Sequence, residues 1–161
     1  MKVRGLCLWE ARCCVLLNLL LSKPMYETTT KQLLNAWGGW LAKTPWDYFS
    51  TYTFRYDISL RRNESYMQKL EKSLEEQQVS HKIFWVVEPT SNGYQSHSHF
   101  LIQGETAKDH VFEFYRSKNL INLAHVVNDP YQVSKGAEYY ISKTLHHKNA
   151  AYGISYSADL Q

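Results

Sequence analysis

Apolar and polar positions alternate along this chain with two periods, and the switches between them predict its elements. From Thr30 to Lys43, Leu33, Leu34, Trp37, Trp40 and Leu41 fall at helical spacing, an amphipathic stripe that Pro45 ends. Within it Gly38 and Gly39 each cost about 1 kcal/mol relative to Ala. Asp47 to Tyr56 (DYFSTYTFRY) is rich in Thr, Tyr and Phe and reads as a strand. Ser59 to Gln78 is helical, with Tyr66, Met67, Leu70 and Leu74 on the buried side and Glu71, Lys72, Glu75 and Glu76 in solvent. Two strands follow, Phe84 to Glu88 and a second carrying His97, His99, Phe100, Leu101 and Ile102. Between them runs a polar turn, Pro89 to Gln95, with an Asn92-Gly93 pair of the kind tight turns select. Thr106 to Lys118 reads as a helix and Leu120 to Val127 as a strand closed by Asn128-Asp129-Pro130. Tyr131 to His147 reads as a further helix and Ala151 to Ser157 as a last short strand.

From Asp47 the order is therefore β-α-β-β-α-β-α-β. Its first six elements match a ferredoxin-like or RRM-like α+β fold, an antiparallel sheet with helices on one face and the opposite face free. At 161 residues the chain suits one domain with a real core. The expected division is a leader or upstream extension at 1–24, an N-terminal helix at 25–45 and the main domain at 46–161.

Charge changes this picture little. Residues 1–24 hold Lys2, Arg4, Arg12 and Lys23 against Glu10, which accounts for the whole formal charge of +3. The rest is balanced, so affinity for a polyanion has to come from a local patch such as Arg55, Arg61 and Arg62. The three cysteines, Cys7, Cys13 and Cys14, also lie in that first segment, leaving the body without thiolate ligands or disulfides. The segment differs from a secretory signal because Glu10 and Arg12 interrupt its apolar run and no small-residue cleavage site follows. That run is also too short to span a bilayer. The composition break favours Met25 as the natural start, and a cytoplasmic setting is expected.

The histidines suggest chemistry. Residues two apart on a strand share a face, so His97 and His99 project together, and a hairpin brings Glu88 beside them. Two imidazoles and a carboxylate form a set that holds a divalent metal. By chance about 0.3 His-x-His pairs are expected from seven histidines, so a surface hairpin is the plainer alternative on spacing alone. Two further features share chain order with this group: Phe49-Ser50-Thr51-Tyr52-Thr53-Phe54 before it, and Tyr140-Ile141-Ser142-Lys143 after it. Tyr140 and Lys143, three apart, lie on one helix face.

In these three features, over about residues 46 to 157, the chain resembles the HUH endonucleases of the rolling-circle replication initiator type. The resemblance implies that His97 and His99, with Glu88 as third ligand, bind Mg²⁺ or Mn²⁺. It implies Tyr140 as nucleophile, with Tyr139 as the neighbouring fallback, and Lys143 as the lysine that orients the phosphate or metal-bound groups. Thr51, Thr53 and Arg55, in and beside the first motif, are the expected DNA contacts. The implied activity is nicking and rejoining of single-stranded DNA, or of a stem-loop origin, through a 5′-phosphotyrosine, in a bacterial cytoplasm or the host compartment of a mobile element. No phosphate-binding G-x-x-x-x-G-K-[ST] loop occurs, so a separate helicase is expected.

Two departures matter. Ser98 stands between the histidines where the family has an apolar residue. Tyr66–Lys69 and Tyr115–Lys118 repeat the tyrosine–lysine spacing, although both precede the fourth strand. The alternatives are a non-catalytic RRM-like single-stranded nucleic-acid-binding module, or a relaxase or transposase with the same chemistry.

Overall fold

The computed structural model describes residues 30–89, 96–143, 145 and 151–160. The elements in chain order are α1 (Thr30–Leu41), β1 (Tyr48–Phe54), α2 (Leu60–Glu76), β2 (Lys82–Pro89) and β3 (Ser96–Gln103). They continue with α3 (Glu105–Ser117), β4 (Ile121–Pro130), α4 (Ala137–Ser142) and β5 (Ala151–Tyr156). The five strands form one open antiparallel sheet in the order β4-β1-β3-β2-β5. The fold is α+β and of the expected ferredoxin-like or RRM-like kind. The expected turn at Asn92-Gly93, the segment 1–24 and His146 and His147 lie outside the described residues.

Strand alternation sorts the side chains onto two faces. On one, Tyr52 and Phe54, Phe100 and Ile102, and Ile83, Trp85 and Val87 pack beneath Met67, Leu70 and Leu74 of α2 and Val111, Phe114 and Tyr115 of α3. Local chemistry starts α2 where the periodicity predicts, because the Ser59 hydroxyl accepts the Arg62 amide at 3.4 Å. It ends where Gln78 takes φ +53°.

The opposite face was expected to be free, and it is not. Leu41 of α1 and Ala137 and Ile141 of α4 pack against Phe84, Val86 and Leu101 there, with Trp46 and Leu145 completing a second apolar cluster. Helices thus lie on both faces. Apolar periodicity reveals that a helix has a buried side, but not which sheet face receives it.

Two further boundaries differ from expectation. The strand β4 continues through Asn128 and Asp129 to Pro130, which pairs with Tyr48. The helix expected over Tyr131–His147 is interrupted by Gly136, at φ +60° and ψ +40°, a left-handed conformation. A short 3₁₀ turn, Val133–Lys135, precedes it, and α4 begins only at Ala137.

Register gives the second face a graded composition. Phe49, Leu101, Phe84 and Ile154 form one cross-strand row; Thr51, His99, Val86 and Tyr152 the next; Thr53, His97 and Glu88 the third. The first row is apolar and lies beneath the helices. The third is polar, and the candidate site stands where one gives way to the other.

Candidate metal centre

The hairpin of β2 and β3 places Glu88 directly opposite His97. Glu88 Oε1 lies 2.9 Å from His97 Nε2 and 3.0 Å from His99 Nε2. Glu88 and His99 are buried and His97 is half-buried. The three residues offer ligand atoms within 4.8 Å of one another, a group able to hold a metal ion. Donors about 2.1 Å from one octahedral ion sit about 3.0 Å apart in neighbouring positions, so the carboxylate-to-imidazole spacings suit a small divalent cation. An ionised carboxylate only accepts, so both Nε2–H groups donate to the same Glu88 oxygen.

The surroundings brace this group. Thr51 Oγ1 lies 2.8 Å from His99 Nδ1. Phe49 stacks on the His99 ring, with centroids 5.9 Å apart and planes 10° from parallel. From α4, Tyr140 meets His99 edge-on at 5.3 Å and Phe49 at 6.0 Å. Lys143 places its Nζ 3.6 Å from the Tyr140 ring centroid and 3.7 Å from Glu88 Oε1. The structure therefore brings together Glu88, His97, His99, Tyr140 and Lys143.

Tyr139 points elsewhere. A Cβ on Gly38 would collide with the Tyr139 ring, so that ring lies against α1 at a position only glycine accommodates. The remaining tyrosine–lysine pairs sit on the far side of the sheet. Tyr66 packs against the α2–α3 cluster. Tyr115 is fully buried in it, its hydroxyl 3.1 Å from Met67 Sδ.

Thr53 is paired in register with His97. Arg55 is exposed and its Nε donates to the Ile121 carbonyl at 3.3 Å. Ser98, on the opposite face from the histidines, is fully buried, and its Oγ has no hydrogen-bond partner among the described residues. Its small size fits beneath the helices. His81, just before β2, is buried; its Nδ1 lies 2.8 Å from the Val79 carbonyl and its Nε2 2.9 Å from Ser155 Oγ.

Electrostatics favour ligand-ready protonation states. Burial pushes the His99 imidazole below its ordinary range, with the Glu88 contact opposing that shift. Burial alone would raise the Glu88 carboxyl. The hydrogen bonds from His97 and His99, with the Lys143 ammonium nearby, outweigh it and hold the group well below the usual carboxylate range.

Both groups bind protons less readily folded than unfolded, so their contribution to stability is complete above the unfolded values and is lost on acidification. The melting temperature of metal-free protein is expected to fall as pH drops below about 6.5, where an unfolded histidine charges, and again below about 4.5 through Glu88. Melts followed by circular dichroism across pH 3 to 8, roughly the range in which these groups titrate, check this. A melting temperature that rises on acidification would contradict the assignment.

Comparison of the chain with protein-family models, with curated proteins and with solved structures finds no match. Among the described residues no helix is long and apolar enough to cross a membrane.

Proposed function

We propose that this chain is a metal-dependent tyrosine endonuclease of the HUH kind, which nicks and rejoins single-stranded DNA to start rolling-circle replication of a plasmid, phage or virus. The observation that carries the reading is the meeting of a half-exposed tyrosine and a lysine from one helix with a Glu–His–His group on one sheet face. Three features far apart in sequence converge there, as the chemistry requires.

Glu88, His97 and His99 would hold Mg²⁺ or Mn²⁺, which when bound supplies Lewis-acid withdrawal of charge from a phosphate. The chain's own residues account for the rest. Tyr140, whose ring is held edge-on against Phe49 and His99, would act as the nucleophile on a phosphodiester in line with the leaving oxygen. Its phenol gives up a proton to water, and its oxygen bonds to phosphorus as the bond to the 3′ oxygen breaks. The departing oxygen takes a proton from water, leaving a 5′-phosphotyrosine and a free 3′ hydroxyl. Lys143 offsets the negative charge that accumulates on the phosphate.

The substrate is unpaired DNA, because a sheet face bordered by helices admits a single strand more readily than a duplex. A separate helicase would supply that strand, and the cytoplasm of a bacterial host or the compartment of a mobile element is the proposed setting. Coverage of the face by α1 and α4 weighs against an RRM-like module, which needs open sheet for stacked bases.

Incubation of the chain with a library of single-stranded oligonucleotides and Mn²⁺ tests the reading. A covalent protein–DNA adduct that EDTA prevents is the expected result. Folded protein that binds the strands but cleaves none would overturn it.

A further inference from the structure

Thr51 belongs to the stretch assigned above to DNA contact, yet its hydroxyl is turned onto an imidazole. Its Oγ1 lies 2.8 Å from His99 Nδ1, and His99 is only 2% exposed. The ring has little freedom besides, with Phe49 stacked on it and the Tyr140 edge against it. Thr51 is thus the partner of His99 Nδ1, whether that nitrogen carries a proton or a lone pair.

An imidazole binds a metal through a nitrogen lone pair. For Nε2 to be that nitrogen, the ring proton has to move to Nδ1, and a buried Nδ1–H needs an acceptor. With no metal on Nε2 the requirement is reversed: Nε2 lies 3.0 Å from Glu88 Oε1, an ionised oxygen that only accepts, so Nε2 carries the proton and Nδ1 is an acceptor that needs a donor. A carbonyl or carboxylate at this point would serve only the first state, and an ammonium only the second. A hydroxyl serves both, because it donates or accepts by rotating about one bond. Threonine also suits the place, since β-branching stiffens its side chain on a strand and fixes the oxygen opposite His99.

We propose that Thr51 is a positioning residue of the metal centre, which lets His99 exchange tautomers as metal binds, rather than a contact to DNA. The inference rests on the metal site proposed above, but its readout is metal binding and not strand cleavage.

Mn²⁺ titration of the full chain by calorimetry tests it. Thr51→Val keeps the shape and removes the hydroxyl; because a metal on Nε2 polarises the ring and makes the Nδ1–H bond the stronger of the two, the loss falls mainly on the bound state and is expected to weaken Mn²⁺ binding about 10- to 100-fold. Thr51→Ser is expected to recover most of that loss. Single-stranded oligonucleotide affinity measured in EDTA is expected to be the same for both variants and the unaltered chain.

Unchanged Mn²⁺ affinity in folded Thr51→Val overturns the inference and leaves the nuclease reading intact, as does a loss of oligonucleotide affinity alone. A measurement on the unaltered chain guards against a variant that does not fold. The ¹⁵N shifts of the His99 ring are expected to show the proton on Nε2 without metal and on Nδ1 with Mg²⁺. A proton that stays on Nε2 with Mg²⁺ bound equally overturns it. Mn²⁺ binding without any adduct on oligonucleotides would sink the nuclease reading and leave Thr51's part standing.

Discussion

Replacing Tyr140 by phenylalanine is expected to abolish the covalent DNA adduct, lowering its rate of formation at least about a thousandfold. The reason is specific to the oxygen. The phenyl ring keeps its edge contact with His99, its contact with Phe49 and its place beneath the Lys143 ammonium. Because the residue is 46% exposed, losing its hydroxyl leaves no cavity. Melting temperature and Mn²⁺ affinity should therefore stay near those of the unaltered chain while chemistry stops. Tyr139→Phe, one residue away but seated against α1 at Gly38, should form adduct at close to the normal rate. Gel electrophoresis of denatured reaction mixtures with labelled oligonucleotide reads both. Adduct that persists in Tyr140→Phe and vanishes in Tyr139→Phe would transfer the role to the neighbour.

Glu88→Gln is expected to reduce Mn²⁺ affinity by about a hundredfold or more, since hard divalent cations depend on anionic oxygen. Geometry makes this substitution informative. Oε1 is the point on which the two imidazoles and Lys143 converge, at 2.9, 3.0 and 3.7 Å. A glutamine oxygen still accepts from both imidazoles, so the hairpin should fold, and circular dichroism should show it. What disappears is the charge that faces Lys143 and would face the metal. Calorimetric titration finding Mn²⁺ affinity within about threefold of the unaltered chain would remove Glu88 from the ligand set and take the metal centre with it.

Much of this arrangement is legible in the amino-acid order, and the reasons are local. Alternation alone places His97 and His99 on one face, and an eight-residue connection back to Glu88 implies the hairpin that joins them. The β-α-β-β-α-β sequence of elements constrains the sheet order, because the crossovers it contains have one hand. Lys143's approach to Glu88 depends on how α4 is docked, which no spacing encodes. Thr51's bond to His99 depends on β1–β3 register across forty-eight residues. The short α4 turns on the left-handed conformation of Gly136, a conformation glycine permits but does not announce. His81 has the composition of a surface residue and is buried because the end of β5 supplies Ser155 as its partner.

The strand β1 has two duties at alternate positions. Phe49 and Thr51 clamp His99, while Tyr52 and Phe54 anchor the core beneath α2 and α3. Deleting one residue there would not merely shorten a motif; it would exchange the two inventories, driving threonine hydroxyls into the apolar cluster and aromatic rings toward Glu88 and the two histidines. Single-residue insertions and deletions in this strand should thus be lost together with folding, so that any lineage carrying the chain explores new site geometries by substitution or by lengthening its loops. The face that carries the candidate site inherits its precision from the core's intolerance of error.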